Sequence, residues 1–169
     1  MGVSSSAHGG PYPKACLAFY TNQLGERGTE VSLFDYAHFA ERLLGTGMPL
    51  ILYERDSPAN FPGTVRKFRE RFGHARVVGV QIWPQHVPPS SGSWWERTLW
   101  WLRAPARPLA PKLDQVLNGA GVTSLYLQKA GDADGVVSTL PHVRNLVHAV
   151  FWAATPHGTV YSRISPTIK

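Results

Sequence analysis

Five short apolar runs constrain this chain most: CLAFY (16–20), PLILYE (49–54), ARVVGVQIW (75–83), TSLYLQ (123–128) and NLVHAVFWA (145–153). Apolar runs this short, bounded by turn residues, fit strands buried on both faces. Segments with helical period lie between them. TEVSLFDYAHFAERLLG sets Leu33, Ala37, Ala40 and Leu44 on one side and Asp35, His38 and Arg42 on the other. Thr29 is placed to cap this helix, and Gly45 and Gly47 to end it. TVRKFRERF (64–72) puts Val65, Phe68 and Phe72 on one face, with Gly73 as the stop, and LDQVLNGAG (113–121) reads as a short helix. Strands alternating with helices predict right-handed βαβ units. The expected fold class is α/β, an open parallel sheet of about five strands with flanking helices.

A chain of 169 residues suits one domain with its own core. Residues 1–13, rich in Ser, Gly and Pro, read as a disordered tail, and 14–169 as the domain. The segment 84–111 interrupts the alternation with many prolines and with Trp94, Trp95, Trp100 and Trp101. It reads as an inserted excursion, or as an element that contacts a partner or a membrane surface. The formal net charge is +6, but the bases are scattered; the densest group, Arg66, Lys67, Arg69 and Arg71, fits a solvated helix face better than a nucleic-acid patch. No nucleic-acid partner is expected. Cys16 is the one cysteine, which excludes a disulfide and a Cys-based zinc site within one chain. Its place in an apolar run predicts a small buried hydrophobe. No apolar run reaches the roughly 18 residues of a membrane span, and no signal-peptide core is visible, so a cytoplasmic location is expected. Gly2 and Ser6 match the loose N-myristoylation pattern, against a plain disordered start.

Ligands of open parallel sheets bind beyond the carboxyl ends of the strands. That rule selects five loops: Thr21–Thr29, Glu54–Gly63, the start of the insertion, Lys129–Ser138 and Ala153–Gly158. The first reads TNQLGERGT and carries neither GxGxxG nor GxxxxGK[ST]. Its glycines and the helix start near Thr29 can approach an anion, and Arg27 can fork onto phosphate oxygens. Glu30 opposes this by already satisfying the helix dipole. A plain strand-to-helix turn and an anion loop both remain open on these residues. The fourth loop, KAGDADGVVS, sets Lys129, Asp132 and Asp134 among glycines without EF-hand spacing. In the fifth, His157 precedes Gly158 and is the candidate general base, whereas His148 sits inside the fifth run as a hydrogen-bonded core residue. The seven histidines show no metal-ligand spacing, so no metal is expected.

Three blocks resemble one family. TNQLGERGTEVSLFDYAHFAERLLG is similar to the opening of a bacterial, viral and algal glycosyltransferase-like family that carries TNQLG-x-RGTEVALYDYA and then LLGN. KAGDADGVVS resembles its K-x-G-x-x-DG-x-x-S, and LVHAVFWAATPHGTVYSRIS its VH-x-VF…PHG-x-VYA-x-IS. The blocks occur in the family's order and cover most of residues 16–165 apart from the insertion. The resemblance implies the N-terminal, Rossmann-like, acceptor-side half of a GT-B-type transferase. A nucleotide sugar would be the donor substrate, with no further cofactor. It implies that Gly25, Arg27, Gly28 and Thr29 approach the donor phosphates. Asn22, Lys129, Asp134, Gly135, His148 and Gly158 would line the cleft, with His157 as the tentative catalytic residue. Family members continue into a second, donor-binding domain where this sequence ends ISPTIK, so the half is expected to be inactive alone and to need a partner domain or subunit. Two alternatives stand beside it: a non-catalytic binding or assembly module using the Trp-rich insertion, and an independent flavodoxin- or dehydrogenase-type enzyme, against which the missing fingerprints count.

Overall fold

A computed structural model describes residues 11–82, 111–130, 133–151 and 156–163. The tryptophans of the insertion and Asp132 lie outside these residues. The element order is β1 (Leu17–Thr21), α1 (Gly28–Leu43), β2 (Leu50–Glu54), α2 (Pro62–Phe72), β3 (Val77–Val80), α3 (Leu113–Ala120), β4 (Ser124–Lys129), β5 (Arg144–Ala149) and β6 (Val160–Arg163). All pairings are parallel, and the strand order is β3-β2-β1-β4-β5-β6. The fold is therefore α/β and Rossmann-like, with the strand order reversing between β1 and β4. It has six strands where the apolar runs predict about five. The sixth, VYSR, is short and exposed along most of its length, so it carries no apolar run.

The apolar runs of β1, β2 and β4 lie in the centre of the sheet, where both faces are covered, and that of β3 lies at one edge. On one face Leu33, Ala37 and Ala40 of α1 and Phe68 and Phe72 of α2 pack on Phe19, Ile51 and Val77. On the other, Val116, Leu117 and Ala120 of α3 pack on Ala18, Leu52, Leu125 and Val147. Phe68 and Phe72 are each 1% exposed, and burial of such a ring contributes about 1.5–3 kcal/mol. The helix starts all face the carboxyl edge of the sheet, as βαβ geometry requires. Among the described residues, no helix is long and apolar enough to cross a membrane.

Several local expectations change. Thr29 does not cap α1: the N-cap is Arg27, without a side-chain bond, and the Thr29 hydroxyl donates to Glu30 Oε2 at 2.8 Å. Leu44 is 66% exposed, because the helix stops at Leu43 and the chain turns away through Gly45 and Gly47 at positive φ. Cys16 is exposed rather than buried. It lies one residue before β1, where its carbonyl accepts the Thr123 and Ser124 N–H groups while its side chain clears the core. α2 begins two residues earlier than expected, with Pro62 at its first position, where a missing N–H costs nothing.

The basic group of α2 is largely tied into the packing of its neighbours. Arg71 donates to His38 Nδ1 at 2.6 Å and to Glu41 at 2.8 Å, joining α2 to α1 and holding the Glu41 carboxyl below the usual range. Lys67 lies over the Phe34 ring, 4.5 Å from its centroid.

Candidate functional site

Where the strand order reverses, the chains leaving β1 and β4 depart toward opposite faces, and a crevice opens between them. The β1 side is the TNQLGERG loop. Asn60, from the loop after β2, organises it. Its Oδ1 accepts the Leu24 N–H at 2.8 Å, its Nδ2 donates to the carbonyls of Glu54 and Arg55, and Phe61 N–H donates to Leu24 O. Gly25 is buried against this loop; a Cβ there would lie 3.1 Å from Ala59 O. Asn22, Arg27 and Gly28 are exposed. Among the described residues the Arg27 guanidinium makes no ion pair, and it stands at the start of α1, where the first N–H groups lack intrahelical partners. Glu30 is 3% exposed and lines the α1–α2 groove with Lys67 and Phe61 rather than projecting from the helix tip.

The β4 side is the KAGDADG loop. Lys129, 3% exposed, pairs with Asp134, whose Oδ1 also accepts the Val136 N–H at 2.9 Å. Gly135 completes the turn at φ +75°, a conformation that side chains resist. Side chains alternate along each strand, so Tyr20, Glu54 and Lys129 all point to the α3 face, at the carboxyl ends of β1, β2 and β4. Tyr20 is fully buried, and its hydroxyl has no hydrogen-bond partner among the described residues. Burial first, then the Glu54 and Asp134 carboxylates, drive its pKa far upward, so it stays a neutral phenol. Glu54, 7% exposed, accepts the Ile82 N–H at 2.9 Å. Beyond it lies a cavity of about 480 Å³ between the start of α3 and the β4 loop, lined by Gln81, Ile82, Asp114, Gly135 and Val136. The buried Glu54 carboxylate, Lys129 ammonium and Tyr20 phenol gather with the partly exposed Asp134 carboxylate at the reversal point, the arrangement expected of functional sites.

Tyr20 and Glu54 are absent from the residues predicted from sequence. Both sit inside apolar runs, and the signal that could have found them is the polar atom at the carboxyl end of each run. Of the predicted residues, the fold brings Asn22, Gly25, Arg27, Gly28 and Thr29 to one wall of the crevice and Lys129, Asp134 and Gly135 to the other. It does not bring His157 and Gly158 there. Thr159 and Asn145 exchange backbone and hydroxyl hydrogen bonds, and a Cβ on Gly158 would lie 2.8 Å from Val147 Cγ2. These contacts set Gly158 beside the first half of β5, ahead of β6, toward the amino edge. The rings of His157 and Tyr161 lie 5.4 Å apart there.

His148 is on β5 but on the α1 face. Its Nδ1 meets the Tyr126 hydroxyl, and Tyr36 of α1 closes over both rings. Burial lowers its pKa, so the folded state favours the neutral imidazole. An unfolded histidine titrates near pH 6.5. The unfolded chain therefore takes up the proton first, and His148's contribution to stability is complete above about pH 6.5 and is lost as pH falls from there through the lower folded-state value. His148→Gln is expected to flatten the fall in Tm between about pH 7 and pH 5. Identical slopes in thermal melts of both proteins would place the acid sensitivity elsewhere.

Among the described residues, no three His, Cys, Asp or Glu side chains converge to hold a metal ion. No protein-family model, curated protein or solved structure matches the chain.

Proposed function

We propose that this chain is the acceptor-side half of a GT-B-type, nucleotide-sugar-dependent glycosyltransferase. In this reading the donor phosphates approach the Gly25–Thr29 wall of the crevice, and a donor-binding half in the same or a second chain completes the site. The observation that carries the reading is the strand order: two of the three blocks that resemble the family begin in the loops after β1 and β4, which flank the reversal point of the sheet among the described residues. Arg27 and the first turn of α1 would offer N–H donors and positive charge to a diphosphate. The Asp134 carboxylate, partly exposed on the β4 wall, would offer an acceptor to the hydroxyl of an acceptor substrate.

The reading predicts negligible sugar transfer by the purified chain with a nucleotide sugar and mixed acceptors. It predicts a rise in Tm with that nucleotide sugar, smaller in Arg27→Gln. Robust turnover by the chain alone would defeat the half-enzyme view, and a Tm indifferent to every nucleotide diphosphate sugar would defeat the donor contact.

A second reading, a binding or assembly module, draws on a specific surface. Tyr36, Phe39 and Leu43, on one stripe of α1, are 44%, 48% and 79% exposed, and Val160 of β6 is 52% exposed. Light scattering of the wild type and of a Phe39→Lys, Leu43→Lys variant separates the two: a dimer lost on substitution favours assembly, and a monomer in both favours the transferase half.

A further inference from the structure

We propose a separate binding site for a small phosphorylated molecule in the trough between α2 and the edge strand β3. The trough has a volume of about 300 Å³ and is lined by Arg55, Asn60, Val65, Arg66, Arg69 and His74. Pro62, Arg66 and Arg69 fall at i, i+4 and i+7 on one turn-spaced face of α2, and Val65 joins them from the edge of the face that buries Phe68 and Phe72. The guanidinium of Arg55 reaches the trough across β3. Gly79 permits this, because a Cβ there would stand 2.9 Å from Arg55 Cβ and Cγ.

Two of the three guanidinium groups have acidic neighbours. Arg55 pairs with Asp56 at 3.2 Å, and Arg66 with Glu70 at 3.8 Å in a pair that water reaches freely. Arg69 has no ion pair among the described residues. Its Nε is fully buried and has no hydrogen-bond partner. A guanidinium cannot shed its charge, and a buried donor without an acceptor is costly. A phosphate seated between Arg69 and Arg66 would accept from the N–H groups of the guanidinium forks that border the trough. A carboxylate ligand fits less well, since it brings less charge to three guanidinium groups. Asn60 is shared with the loop that shapes the β1 side of the crevice, but the site lies between α2 and β3 and does not depend on the transferase reading.

The probe is inorganic pyrophosphate, titrated into the full chain at constant ionic strength and followed by amide chemical shifts. Saturable shifts at Arg66, Arg69 and His74 are expected, and binding about tenfold or more weaker in Arg69→Met. The exposed Arg66→Gln variant, which removes no buried group, should also weaken binding if Arg69→Met folds poorly. Arg42→Gln, which removes one positive charge from α1, should leave binding unchanged. Equal loss in Arg42→Gln would reduce the effect to net charge and overturn the proposal, as would pyrophosphate shifts confined to the Gly25–Thr29 loop. Retention on vesicles containing phosphatidylinositol phosphates without any response to free pyrophosphate would assign the phosphate to a membrane and overturn the small-molecule site.

Discussion

Asp134→Asn is expected to destabilise the fold by about 3–5 kcal/mol, far more than Lys129→Met at about 1–2 kcal/mol. The asymmetry follows from burial. The Lys129 side chain is 1% exposed and the Asp134 side chain 27%. Removing the carboxylate leaves an ammonium in an apolar layer with Leu125 and Leu127 on its own strand. Removing the ammonium leaves a carboxylate that can turn toward water and still accept the Val136 N–H. Asparagine also keeps the size of the side chain, so the loss reports charge rather than a cavity. Guanidinium denaturation of the two variants measures the difference directly. Equal losses would mean that Lys129 reaches solvent, and the buried polar cluster at the reversal point would lose its basis.

Gly158→Ala is expected to cost about 2–4 kcal/mol and to loosen β6 before the rest of the sheet. Gly158 has φ +81°, and the new methyl would stand 2.8 Å from Val147 Cγ2 and 3.0 Å from Asn145 O. The conformation and the contact penalise it separately. Gly45→Ala isolates the first term, because Gly45 has φ +61° with nothing within 4 Å of its Cβ position. Its cost should be about 1–2 kcal/mol. If both alanine variants lose the same stability, the crowding against β5 is absent. Faster amide exchange confined to Val160–Arg163 in Gly158→Ala would localise the damage to β6.

β1 and β2 are readable because burial on both faces leaves the unbroken apolar runs LAFYT and LILYE, and β3, β4 and β5 because enough of each is buried to keep a short apolar run. β6 is not, because it is exposed along most of its length and VYSR carries no apolar run, whereas Val77 and Val80 of the other edge strand, β3, are buried. The Cys16 error has the same root: the run CLAFY begins one residue before the strand, and one residue decides whether a side chain enters the core. Loop assignments depended on knowing where each strand starts. With β6 unseen, PHG reads as the carboxyl end of the fifth strand, whereas Thr159 is bound to Asn145 at the beginning of β5. The crevice was half legible. Glycines and Arg27 mark the β1 loop in the sequence itself. Tyr20, Glu54 and Asn60 gain their meaning only from pairing across β1, β2 and β4, which no local pattern encodes.

We propose that the β1–β4 crevice receives a nucleotide sugar. Amide chemical shifts of the isotope-labelled chain, titrated with uridine and guanosine diphosphate sugars, test it most directly. Saturable shifts are expected at Gly25, Arg27, Gly28, Thr29 and Gly135, with His157 and Gly158 unmoved. Shifts confined to the α2–β3 trough or to the His157–Gly158 edge, or none at all, would contradict it.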